Sequence, residues 1–167
     1  SPHQPYQFVE KEYIKAEEYD DLLFDPTGFI LRQFLPRVYG ALEPLNLLPP
    51  LPAIYYTRFV TGTAAFAQPK VSEALDALVK AGTEAHRMLV KAKEFTDEMT
   101  ALGFPSQFGG LAYAPFDYIG DFLRGTRGIM LDMFRVPDKL LESMEKLIPF
   151  ILQGAIGAVR MSGIPCI

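Results

Sequence analysis

Phe104-Pro105-Ser106-Gln107-Phe108-Gly109-Gly110-Leu111-Ala112 is the stretch on which the fold turns. It is too rich in glycine for a helix. It suits a brief buried strand or turn where backbone passes close to backbone or ligand. On its N-terminal side, Val71, Leu75, Leu78, Ala85 and Leu89 recur on one stripe that includes Gly82, while Lys80, Glu84, Arg87, Lys91 and Glu94 fall largely off it. That spacing predicts an amphipathic helix from Pro69 to Leu102, ended by Gly103 with Pro105 behind it. On its C-terminal side, a helix is predicted from Ala114-Pro115 through Phe122, interrupted at 124–128 and resumed from Ile129 to Phe134. A last amphipathic helix is predicted from Pro137-Asp138, bent at Pro149 and stopped by Gly163, with Ile164 to Ile167 opening another strand. Long helices between short apolar strands are βα units, so the expected class is α/β, a helix-rich, incomplete (β/α)8 TIM-barrel fragment. A complete barrel of this kind needs about 250 residues, and the chain has 167.

Outward from these units, residues 1–68 are expected to form the irregular and helical N-terminal part of the same partial domain, with 69–167 supplying the βα units. Asp25-Pro26 pairs an N-cap carboxylate with proline at the first helical position, and Phe29, Ile30, Phe34 and Val38 follow at helical spacing. This predicts a helix from Pro26 to Tyr39. Leu48-Pro49-Pro50-Leu51-Pro52 predicts a rigid extended connection, and 53–67 is irregular or short helix.

Composition bounds the chemistry. Hydrophobic residues make up 49% of the chain and aromatic residues 13%, ample for a packed core, and the formal net charge of −4 argues against a nucleic-acid partner. No apolar run approaches the ~20 residues that cross a bilayer. A single cysteine, Cys166, leaves no disulfide framework or cysteine-rich zinc site and suits a reducing cytoplasm. The acidic run Glu17, Glu18, Asp20 and Asp21 reads as a solvated helix face, with a hard-metal site as the alternative. His86, among charged neighbours, reads as an ordinary partly exposed histidine.

Gly109-Gly110-Leu111-Ala112-Tyr113-Ala114-Pro115-Phe116-Asp117, then Phe122-Leu123-Arg124-Gly125, then Pro137-Asp138-Lys139-Leu140-Leu141-Glu142 resembles the central segment of the uroporphyrinogen decarboxylase superfamily. The resemblance covers about residues 70 to 167 and, more loosely, 10 to 40. It implies a cytoplasmic enzyme acting on a tetrapyrrole or corrinoid-linked substrate. The reaction is either cofactor-free decarboxylation or cobalamin-linked methyl transfer, in which zinc activates a thiol acceptor. Neither site is expected to be complete within these residues. The segment is expected to be inactive by itself, with no cofactor of its own, and to self-associate through the edges of missing strands and helix faces meant for neighbours. A non-catalytic helical protein-interaction module is the alternative from another class.

Within the resemblance, Asp117 and Asp121 are the candidate catalytic residues, and Tyr113, Arg124 and Arg127 the candidate substrate-binding ones. Asp117 follows the Ala-Pro turn, where it either joins the site or caps its helix. Asp121 stands where the decarboxylases carry a substrate-contacting tyrosine. A tyrosine hydroxyl donates to a carboxylated substrate, whereas an ionised aspartate only accepts and repels it. Arg124 and Arg127 either hold an anionic group or complement a helix C-terminus. Tyr113 is a pocket wall or a packed ring.

Overall fold

A computed structural model describes residues 11–54 and 58–164, and every described element is helical. The α-helices are α1 (Tyr19–Phe24), α2 (Pro26–Phe29), α3 (Leu35–Val38), α4 (Phe59–Thr63), α5 (Pro69–Ala101), α6 (Pro115–Ile119), α7 (Gly125–Arg135) and α8 (Pro137–Ser162). Two π-helical turns, Ile30–Phe34 and Gly120–Arg124, join α2 to α3 and α6 to α7. The chain divides into two compact units: residues 1–24 with 112–153, and residues 25–111 with 154–167.

The α/β expectation is therefore overturned: no strand occurs among the described residues, so the chain is all-α and not a (β/α)8 fragment. The physical reason lies in the opening stretch. A strand needs a neighbouring strand to take its backbone hydrogen bonds, and none exists among the described residues. Gly109 and Gly110 instead lie against the C-terminal end of α8. A Cβ on Gly109 would stand 2.1 Å from the Ile164 carbonyl oxygen, and one on Gly110 2.8 Å from that of Ala155. The glycines mark a close backbone approach, one of the two uses the sequence allowed, without a sheet. The second predicted strand fails at its start, because the Ile164 N–H donates to Ser162 Oγ at 3.2 Å. Residues 165–167, Cys166 included, lie outside the described residues.

The unit built on residues 25–111 begins with the expected cap. Asp25 Oδ1 accepts the Gly28 N–H at 2.9 Å, and a Cβ at Gly28 would meet Asp25 Oδ2 at 1.9 Å, so a larger residue would have to push the capping carboxylate aside. The helical run continues to Val38 through the π-turn. A 3₁₀-helical segment, Gly40–Leu47, follows, where an extended connection was expected only from Leu48 onward. Leu42, Leu45 and Leu48 pack with Val71 and Ala74 of α5, joined by Leu31, Leu35, Phe66 and Leu78. Arg32 Nε donates to the Leu48 carbonyl at 2.9 Å and secures the start of the proline connection. Helix α5 ends as its sequence demands. Gly103 adopts φ +92°, its N–H donates to the Thr100 carbonyl, and Phe104 donates to that of Met99. These are the paired bonds of a Schellman cap.

In the other unit, Ile14, Tyr19, Leu22, Ile119, Leu123, Ile129, Leu140 and Leu147 are buried. The predicted interruption at 124–128 narrows to one residue, Gly125, whose φ of +69° is a conformation that favours glycine. Pro149 is accommodated inside a continuous α8.

Candidate functional site

Residues 113–127 bring the sequence-predicted residues onto one short segment, but in two different environments. Tyr113, Asp117, Asp121 and Arg127 are exposed, while Arg124 is buried. Asp117 lies in the first turn of α6, whose N-cap is Ala114, so it is not the capping side chain. Asp121 belongs to the π-turn. The Tyr113 ring meets Phe122 edge-on at 5.2 Å between centroids, and Phe122 in turn meets Tyr118 at 5.5 Å. That is the packed-ring alternative for Tyr113.

Arg124 is the centre of a buried polar cluster. Its Nε and Nη2 donate to the two oxygens of Asp132 at 2.6 and 3.0 Å, a bidentate pair, and its Nη1 donates to the Ile14 carbonyl at 2.5 Å. The Tyr19 hydroxyl donates to Asp132 Oδ2 at 2.9 Å, and Glu12 approaches the guanidinium at 3.8 Å from the more exposed side. Burial works against the Arg124 charge, yet the hydrogen bonds and charge of Asp132 outweigh it and raise its pKa. Burial, and then the hydrogen bond to Asp132, raises the Tyr19 pKa and holds the phenol neutral.

The local chain is shaped around this cluster. The Leu123 carbonyl accepts both the Tyr13 and Ile14 N–H groups, at 2.9 and 3.0 Å. At Gly128 a Cβ would stand 3.0 Å from the Arg124 guanidinium carbon, so a larger residue would press on the bidentate pair. Arg124 is thus consumed by internal partners and is a structural anchor, neither a helix C-terminal charge nor a group free to hold a substrate.

Tyr19, Asp132 and Glu12 were not singled out in the sequence. Arg124 and Asp132 are eight residues apart, beyond the three or four at which one helix pairs its side chains, so their spacing did not announce the ion pair. Tyr19 joins Asp132 across 113 positions of chain, and nothing local could announce it.

The acidic run disperses. Asp20 pairs with Lys139, and Glu18 accepts the Lys15 N–H at 2.8 Å. No group of three His, Cys, Asp or Glu side chains able to hold a metal ion occurs among the described residues. A separate open groove of about 510 Å³ lies between the C-terminal half of α5 and the end of α8. Leu89, Val90, Phe108, Met161 and Ile164 make it largely apolar, and His86 stands on its wall. Its hydroxyl groups are internally bonded: Thr96 donates to the Ala92 carbonyl, Ser106 to that of Phe108 and Ser162 to that of Val159.

Among the described residues, no helix is long and apolar enough to cross a membrane. Comparison with protein-family models, curated proteins and solved structures finds no match to this chain.

Proposed function

We propose that the chain is a segment of a uroporphyrinogen decarboxylase-like enzyme, acting on a tetrapyrrole or corrinoid-linked substrate. Asp117, Asp121 and Arg127 lie on its substrate side. The observation that carries this reading is the segment 113–127, which displays these three polar side chains while Arg124 anchors it from beneath. The motif glycines and arginine that carry the resemblance have firm internal roles, and the residues between them remain available to a ligand. Arg127 is suited to a carboxylate of the substrate, and Asp121 opposes such a carboxylate and marks divergence from the heme-pathway reaction.

Uroporphyrin and cobalamin, each titrated into the purified chain and followed by their visible absorbance, test the reading. A saturable change with either one is expected. For uroporphyrin, Arg127→Gln weakens binding roughly tenfold, as loss of one charge-assisted contact requires, and Asp121→Tyr strengthens it. The absence of saturable binding to both compounds by the folded chain overturns the proposal.

Cobalamin-linked methyl transfer remains the alternative within the superfamily. The described residues do not gather a zinc ligand set, so no step through zinc is assigned to them. A helical protein-interaction module is favoured by a different observation, the exposed apolar side chains of Met88, Phe95, Phe134 and Phe150 on α5, α7 and α8.

A further inference from the structure

Helix α5 continues its apolar face well beyond the core that it covers. Val71 and Ala74 are buried and Leu78 packs against the same cluster. From there Ala81, Ala85, Met88, Ala92, Phe95 and Met99 follow at intervals of four and three, the spacing of a coiled-coil seam. Ala81, Ala85 and Ala92 are exposed, Met88 is 65% and Phe95 64% exposed, and only Met99 is partly covered. At a rise of about 1.5 Å per residue the open seam is roughly 27 Å long.

We infer that this seam pairs with the same seam of a second copy of the chain, antiparallel, about a two-fold axis near residue 90. Two independent features select that partner and that direction. The first is size. Antiparallel pairing with Met88 opposite Ala92 also sets Ala85 opposite Phe95 and Ala81 opposite Met99, so every layer joins one alanine to one large side chain. Parallel pairing would stack Phe on Phe and Ala on Ala, alternating overfilled layers with voids. The second is charge. About that axis, Lys80, Glu84 and Arg87 leave the first half of the seam region with one net positive charge, and Lys91, Lys93, Glu94, Asp97 and Glu98 leave the second with one net negative charge. An antiparallel partner lays each half against its opposite, whereas a parallel one sets like against like. The pairing is isologous, as a closed two-fold dimer requires. It stands independently of the proposed enzymatic reading.

Sedimentation equilibrium up to millimolar concentration tests the pairing, and a cysteine cross-link tests its direction. The expected mass is that of a dimer, and Met88→Lys with Phe95→Lys raises the dissociation constant at least about a hundredfold. Both positions are exposed, so the variant keeps its far-ultraviolet dichroism. In a Cys166→Ser background, Ala85→Cys combined with Phe95→Cys forms an oxidised dimer, while Ala85→Cys alone does not. Ten residues apart on one helix, the two thiols lie about 15 Å from each other and cannot close within a chain. A monomer throughout, a dimer that survives the double lysine variant with its dichroism intact, or efficient cross-linking of Ala85→Cys alone overturns the inference.

Discussion

Arg124 was expected to meet a substrate anion, and its three internal partners give it a different task. Because Asp132 is 1% exposed, removing its charge strands the guanidinium in the interior. Asp132→Ala is therefore expected to cost about 3–5 kcal/mol, read as a lower urea midpoint. Arg124→Lys loses the bidentate geometry and falls short of restoring stability. Tyr19 adds a pH dependence. Its pKa is raised in the fold, so the folded state holds the phenol proton more tightly than the unfolded chain does. The resulting stability is fully present below the ordinary tyrosine value of about 10 and is lost as pH rises toward the folded value. Urea melts across alkaline pH are expected to show this loss in the natural chain and a shallower one in Tyr19→Phe.

The helix ends and the glycine approach belong to the scale of elements. The Asp25 cap is legible in sequence because capping is local: side chain, turn and proline sit within four residues. Gly28→Ala forces the Asp25 carboxylate out of place and is expected to cost about 1 kcal/mol, the usual worth of an N-cap, measured by thermal melting. The π-turn at Gly120–Arg124 was not legible, since an inserted residue leaves no compositional trace and its position follows from what the buried arginine must reach. Gly109→Val is expected to drive the 106–110 segment off the end of α8. Limited proteolysis is expected to cut that segment faster than in the natural chain, while α5 and the Leu45 core stay protected. An unchanged cleavage pattern would show that the approach is not needed.

For the molecule as a whole, the exposure of Asp117, Asp121 and Arg127 has a catalytic consequence. Acids, bases and binding groups act as a unit in a dry, preorganised site, and these three side chains stand in solvent. Turnover of uroporphyrinogen by the purified chain is expected to match a heat-treated control, as read by product chromatography. Product above that control would show that these residues suffice. The expected self-association rested on unpaired strand edges and on helix faces meant for neighbours; the first basis is gone, and the apolar helix faces remain.

From sequence alone came several helix starts and stops, notably Pro26, Pro69, Gly103, Pro137 and Gly163. Periodicity and backbone chemistry are local, and they act before any partner is met. The close approach implied by Gly109 and Gly110 was equally legible, but its object was not. Strand or helix end are different neighbours for the same bare backbone, and only the folded chain, by bringing α8 there, settled which. The same holds for Arg124. Its charge and its glycine neighbours read as a binding site from within the segment, and only the arrival of Ile14, Tyr19 and Asp132 turned it inward. Contacts between residues more than a hundred positions apart cannot be written in a local pattern, because each is the sum of every turn between them.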